Sequence, residues 1–285
     1  MGESELREPG TGNREQGTGN RAQPSERRSY TRLSDDGGVI EESAIAVEVP
    51  VAFIYGSRSH VVMMCTPTDF EDLAVGFTLS EEIVGSATDI GDIVVQRHER
   101  GVELSIAIPQ AAQDTLRDRA RAISARTGCG LCGVEAIDDA VRAPHTIGSS
   151  LTFSKDALWK ASASLDARQP HNRETHAIHA AAWATPDGEL KIVREDVGRH
   201  NALDKVLGAL TRTGTDARNG FLIVTSRASF ELVQKAAVFG VPMLAAVSRP
   251  TALAINIAES AGMCLVGLLR GKSANVYSRP ERISA

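Results

Sequence analysis

The chain has 285 residues, 42% hydrophobic and 24% charged, with a formal net charge of −5. That length can bury a real core, as one large domain or two modest ones. The acidic balance speaks against a general nucleic-acid binder, and no apolar run reaches the roughly 18 residues of a membrane helix. Four cysteines are too few for a disulfide framework, and the polar N-terminus has no apolar signal core. A reducing cytoplasm is the expected setting.

The first 36 residues differ from the rest. GTGNREQ (Gly10 to Gln16) is followed directly by GTGNRAQ (Gly17 to Gln23), a low-complexity repeat in a Gly-, Arg-, Glu-, Ser- and Pro-rich tail. With almost nothing to bury, residues 1–36 are expected to be a disordered extension. Ordered sequence is expected from about Val39. AIAVEVPVAFIY and HVVMMC, either side of GSRS, predict a β-hairpin. TDFEDLAVGFTLSEEIV has helical periodicity and opens with Thr68 and Glu71 at capping-box spacing. DIVVQRHE and VELSIAI predict a second strand pair, turning at Arg100-Gly101, and a polar helix over Gln110–Arg126 follows. That helix leads into TGCGLCG, Thr127 to Gly133, which holds two of the four cysteines. Ser154 is placed to cap an amphipathic helix that runs through Leu165.

The second half alternates more regularly. HAIHAAAWA and LKIVRE are predicted strands joined by Pro186-Asp187-Gly188, and a helix follows with Asn201 as its expected N-cap. FLIVTS, PMLAAVS and CLVGLLR alternate with helical segments, which predicts a parallel, helix-covered sheet. ANVYS is expected to add an edge strand. The fold class expected is α/β with an α+β first half, organised as residues 1–36, an α+β portion 37–150 and an α/β portion 151–285.

Three of those strands end on basic residues. FLIVTS runs into Arg227, with Ser229 able to cap the next helix. PMLAAVS runs into Arg249, with Pro250-Thr251 opening its helix, and CLVGLLR ends at Arg270-Gly271-Lys272-Ser273. In a parallel sheet these ends share one edge, where helix N-termini present free N–H groups, so the pattern suits phosphates, as in a nucleotide or pyrophosphate. REDVGRHNALDK, Arg194 to Lys205, belongs to the same neighbourhood. His200, next to a helix N-terminus, is expected to be neutral and able to bind a ligand or move a proton; a loop-fixing network of Arg199 with Glu195 and Asp196 is the alternative.

Cys129-x-x-Cys132 is compatible with several chemistries. A structural zinc site needs four ligands; Cys65 and Cys264 lie in apolar strands as packing residues, and the spacing of His171, His176 and His179 matches no usual zinc pattern. His176 and His179 would also face opposite sides of a strand. A thioredoxin-like dithiol should open a helix after a strand, whereas this pair follows a helix among Gly128, Gly130 and Gly133. A carrier thiol on a glycine-rich loop fits better, with Arg126 near in sequence to favour the thiolate. A loop with incidental cysteines is the plain alternative.

TGCGLCG, EDLAVGFTLSEEIV, REDVGRHNALDK, SRASFELVQKAA and SRPTALAINIAESAGM together resemble the formate dehydrogenase accessory sulfurtransferases, the FdhD family. The resemblance runs from about Val39 to the C-terminus. It implies a cytidine-deaminase-like mixed sheet covered by helices, a homodimer, and a sulfur carrier loaded by a cysteine desulfurase. The persulfide-bearing position matches Cys129, with Cys132 as its loop partner. The cargo implied is the molybdenum cofactor in its bis-molybdopterin guanine dinucleotide form, sulfurated before insertion into formate dehydrogenase. The family's cofactor-binding segment falls on Leu269, Arg270, Gly271, Lys272, Ser273 and Ala274, and the basic ends Arg227 and Arg249, the helix-opening Ser229 and Thr251, and His200 are assigned to the same cargo. Cys132 or His200 would handle protons. The deaminase metal signature is absent, and no metal is assigned to the protein. One departure stands in RETHAIHAAAW, where His176 occupies a place expected to be smaller. Two other readings stay open: a cofactor chaperone that transfers no sulfur, and a zinc-dependent deaminase-like enzyme.

Overall fold

The computed structural model describes residues 14–16, 23–126 and 143–284. After a short strand β1 (Arg14–Gln16), β2 (Ser25–Ser34) and β3 (Gly37–Ala46) form an antiparallel hairpin turning at Asp35-Asp36. Strand structure therefore begins inside the segment expected to be disordered. The hairpin rests on cross-strand polar pairs, Arg32 with Glu41 at 2.8 Å and the Tyr30 hydroxyl donating to Glu41 at 2.8 Å. A composition argument that counts buriable residues does not register such pairs.

β4 (Val49–Tyr55) and β5 (Arg58–Cys65) form the predicted hairpin, and β6 (Ile93–His98) with β7 (Gly101–Ile106) the second. They join in one sheet of order β1-β6-β7-β4-β5. Its inward residues, including Val51, Phe53, Val95 and Leu104, pack on Leu73, Ala74 and Phe77 of α1 (Phe70–Ser80). Helix α1 is buried on nearly every side, because its other face meets the second half of the chain. The capping box at its start does not form. Asp69 is the N-cap at φ 53°, without a side-chain cap bond, and Thr68 Oγ1 instead accepts from the Lys205 amine at 3.4 Å. Helix α2 (Gln110–Arg126) has the predicted bounds.

The second half is built on a six-stranded sheet of order β10-β9-β11-β12-β13-β14. β8 (Phe153–Ser154) leads into α3 (Lys155–Leu165), where Ser154 Oγ accepts from Ala157 N at 3.1 Å as expected. Helix α4 (Pro170–Thr175) ends at His176, which adopts φ 53° with its N–H donating to Asn172 O. His176 thus closes a helix and does not share a strand with His179. β9 (His179–Ala184) and β10 (Leu190–Asp196) are the antiparallel pair predicted, and α5 (Arg199–Arg212) follows. The N-cap of α5 is Gly198, not Asn201, whose buried amide is drawn inward by acceptors described below. β11 (Phe221–Val224), α6 (Phe230–Val238), β12 (Met243–Ala246), α7 (Ala252–Ala261) and β13 (Cys264–Arg270) alternate, and β14 (Ser273–Ser278) closes the edge. β15 (Ile283–Ser284) pairs with β8.

The sheet is mixed: β11, β12 and β13 are parallel, while β9 and β14 are reversed. Because β9 is antiparallel to both its neighbours, β10 points the same way as β11. Alternation splits each strand between two cores. Leu222, Val224, Leu244 and Leu265 pack under α5, α6 and α7, whereas Phe221, Ile223, Met243 and Val266 pack under α3. Helix α5 crosses α1 at glycine: a Cβ on Gly76 would stand 1.7 Å from Asp204 O, and one on Gly208 would stand 1.8 Å from Asp72 O. The two halves of the chain are thus joined backbone to backbone.

Candidate functional site

Four strand ends, those of β10, β11, β12 and β13, reach the same edge of the second sheet, and α5, α6 and α7 start there. Arg227, Arg249, Arg270 and Lys272 are all exposed along it. The connecting loops are tied to one another. Thr251 N donates to Ala228 O at 3.1 Å, joining the Arg227 and Arg249 loops. Leu268 N donates to Ser248 O at 3.1 Å and Arg270 Nε to Val247 O at 3.3 Å, joining the Arg249 loop to the end of β13. Thr251 Oγ1 caps α7 through Ala254 N, while Ser229 is the N-cap of α6 without a side-chain cap bond. Three parallel strands with short loops deliver cations and free helix N–H groups to one line, an arrangement suited to phosphates. Within 269–274, Leu269 belongs to the core at 1% exposure, so its side chain is closed to a ligand; Arg270, Gly271, Lys272 and Ser273 are exposed, and Ala274 packs partly on the core.

His200 sits in the first turn of α5 and looks into a cleft of about 450 Å³ lined by Met63, Met64, Phe77 and Glu81 of the first half and Asp204, Glu231 and Lys235 of the second. Burial holds the His200 imidazole below its ordinary pKa, and nearby Arg199 adds to this against the pull of Glu231, whose Oε2 lies 3.7 Å away. His179, at the start of β9, is likewise lowered by burial and by Arg199. Both rings are therefore neutral near pH 7, as expected of His200. The Glu231 carboxylate beside His200, two residues after the N-cap Ser229, suits an N–H donor on the ring.

Beneath the edge is a polar network that sequence reasoning missed. Asp196 and Lys205 pair at 2.7 Å, both fully buried. Asp196 also accepts from Thr66 N, Gly198 N and the Asn201 amide, and Lys205 donates to Thr66 O and Glu195 O. Asn201 further donates to Met64 O. Arg199 takes no part in this network; Glu195 instead accepts from His171 N and Asn172 N. A charge pair can sit in the core because nearly every donor and acceptor is met. The signal in sequence was Asp and Lys at i and i+9 across a strand end and a helix, but the partner at Thr66 is 130 residues away. Lys235 forms a second such centre with Asp204 at 3.0 Å, Glu81 at 2.7 Å and Ser80 at 2.8 Å.

Cys65 and Cys264 are free and fully buried. Burial pushes both thiols up, Cys264 to about 12. Cys129 and Cys132 lie outside the described residues. Among the described residues no group of three or more His, Cys, Asp or Glu is arranged to hold a metal ion, and no helix is long and apolar enough to cross a membrane.

The profile of the FdhD/NarQ family matches residues 46–284. The chain belongs to this family. It is 51% identical over 242 residues to the sulfur carrier protein FdhD of Xanthomonas axonopodis pv. citri, covering 85% of this chain and 86% of that protein. It is 46% identical over 257 residues to the sulfur carrier protein FdhD of Cupriavidus necator, covering 90% and 87%. A crystal structure of a candidate formate dehydrogenase accessory protein from Desulfotalea psychrophila superposes with a TM-score of 0.73 at 23% identity, over 91% of this chain and 99% of that one. The mixed α/β fold is thus shared with that structure. The hairpin of β2 and β3 falls almost wholly before residue 46, where the family profile begins.

Proposed function

We propose that this protein is a sulfur carrier serving formate dehydrogenase, with Cys129 as the loaded thiol and the basic strand-end edge as the resting place of its cargo. The observation that carries the reading is the state of the other two cysteines: Cys65 and Cys264 are sealed in the core with their protons held on, so carrier chemistry falls to Cys129 and Cys132. The names of the relatives, sulfur carrier proteins, support the same role.

In this reading a cysteine desulfurase presents an enzyme-bound persulfide. The Cys129 thiolate attacks its outer sulfur; the new bond forms as the donor's S–S bond breaks, and the donor leaves as a thiolate. The nucleotide phosphates of a bis-molybdopterin guanine dinucleotide then lie along Arg227, Arg249, Arg270 and Lys272, with the N-termini of α6 and α7 supplying N–H groups. Release of sulfide to the cargo needs two electrons. Attack of the Cys132 thiolate on the Cys129 sulfur supplies them, expels hydrosulfide and leaves a Cys129–Cys132 disulfide, which a cellular dithiol reduces. A homodimer in the cytoplasm belongs to the same proposal.

The test is mass spectrometry of the intact chain after incubation with a cysteine desulfurase and cysteine. A labile sulfur adduct on the peptide containing Cys129, absent from Cys129→Ala, is expected. Undiminished loading of Cys129→Ala would remove the assignment. Full support of active formate dehydrogenase by that variant would favour a chaperone that only delivers the cofactor.

A further inference from the structure

We infer that Gly267 is a positioning residue, which locks the end of β13 onto the loop carrying Arg249 and so sets the spacing between the second and third cations of the edge. The inference rests on the reading of that edge as an anion site. β13 does not end as a regular strand. Its register with β14 shifts between Gly267 and Arg270, and Leu268 adopts φ 52°, a left-handed conformation a leucine rarely takes. The bulge turns the strand end towards the loop after β12 at three successive points. Gly267 lies flat against it: an added Cβ would stand 2.8 Å from Pro250 Cδ and 3.1 Å from Ser248 O. Leu268 N–H donates to Ser248 O, and Arg270 Nε donates to Val247 O.

Neither obstacle at Gly267 can swing away. Ser248 O is backbone, and Pro250 Cδ belongs to a ring closed on its own backbone nitrogen. The third neighbour, the Tyr277 ring of β14 at 3.0 Å, is a side chain that can turn aside, so the strain falls on the loop. Any side chain at 267 therefore presses on Ser248 and Pro250, the two neighbours of Arg249, and displaces its guanidinium. Arg227 belongs to the loop after β11, which Gly267 does not touch. Its place depends on the β11–β12 ties, Val247 N to Val224 O and Thr251 N to Ala228 O. The clamp thus fixes Arg249 relative to Arg270 and leaves Arg227 as an internal reference. Positioning matters here because a guanidinium displaced by an ångström forfeits the directional part of its bond to phosphate.

The experiment is a double-mutant cycle on the full chain, with inorganic pyrophosphate as the probe and isothermal titration calorimetry as the readout. In the wild-type background, Arg249→Ala and Arg227→Ala are each expected to weaken binding about tenfold, the order of one charge-assisted contact. In the Gly267→Ala background, Arg249→Ala should cost less than about twofold while Arg227→Ala keeps its full effect. A merely structural role for Gly267 would lower both factors together or neither. If Gly267→Ala does not fold, Pro250→Ala decides, because removing the ring against which Gly267 lies should also reduce the Arg249 factor and spare the Arg227 factor. An unchanged Arg249 factor in a folded Gly267→Ala or Pro250→Ala protein would overturn the clamp alone. Wild-type affinity that neither arginine affects would overturn the anion-edge reading, and the clamp with it.

Discussion

Replacing Gly76 by alanine tests the joint between the two halves. The added Cβ would fall 1.7 Å from Asp204 O and 2.8 Å from Gly208 N, both backbone atoms of α5. Reaching even a 3.0 Å contact needs α1 and α5 to part by at least about 1.3 Å, and overpacking of a rigid backbone contact typically costs about 1–3 kcal/mol. Parting also pulls on two ion-paired centres at this crossing. Asp204 holds Lys235 and Ser80, while Asp72 of α1 binds Arg194 and Arg212 of the second half. Against this, alanine is the better helix former by roughly 1 kcal/mol. The net loss should be about 2–4 kcal/mol, because the loosened buried pairs add roughly 2 kcal/mol to the overpacking before the gain in propensity is subtracted. For a chain of this size that lowers Tm by about 5–15 °C. Urea midpoints and thermal melts of Gly76→Ala would measure it, with Gly85→Ala as control, because nothing lies within 4 Å of a Cβ there. A Gly76→Ala protein within about 0.5 kcal/mol of wild type would refute the close-crossing argument.

Lys205→Met should be destabilising by about 3–5 kcal/mol, because it strands the fully buried Asp196; adding Asp196→Asn should recover part of that loss in urea titrations. Native alkylation with iodoacetamide followed by peptide mapping should label Cys65 and Cys264 only after denaturation. Stability should fall as pH drops from 7.5 to 5.5. His179 and His200 have folded pKa values below their ordinary 6.5, so the unfolded chain takes up protons first and acid favours unfolding. A His179→Gln/His200→Gln protein should show a flatter Tm profile over that window; an unchanged slope would mean that these two rings do not drive it.

Much of the local structure was legible because it depends on near neighbours. Strand-like patterning marked β4 to β7, short apolar runs between helical segments marked β11 to β13, Ser154 announced the start of α3, and the polar stretch of α2 gave its bounds. Errors arose where a distant partner outbid a local one. Thr68 was written like a capping residue, but Lys205 uses its hydroxyl. Asn201 was written like an N-cap, but Asp196 and Met64 O hold its amide in the core. Leu269 sits within a basic, glycine-bearing turn, yet packing claims its side chain.

The candidate site divides the same way. Basic residues after three apolar strands are a one-dimensional pattern, and the sequence by itself determined that Arg227, Arg249, Arg270 and Lys272 would share an edge once those strands ran parallel. Tertiary structure decided three further things: that β10 joins the same direction through an intervening reversed strand, that His200 meets Glu231 in a cleft between the two halves, and that Gly267 and Pro250 bind two strand ends together. Strand direction and helix start follow from periodicity and short loops. Close approach and the partners of buried charges depend on residues more than a hundred positions apart, which meet only when α1 and α5 cross at Gly76 and Gly208.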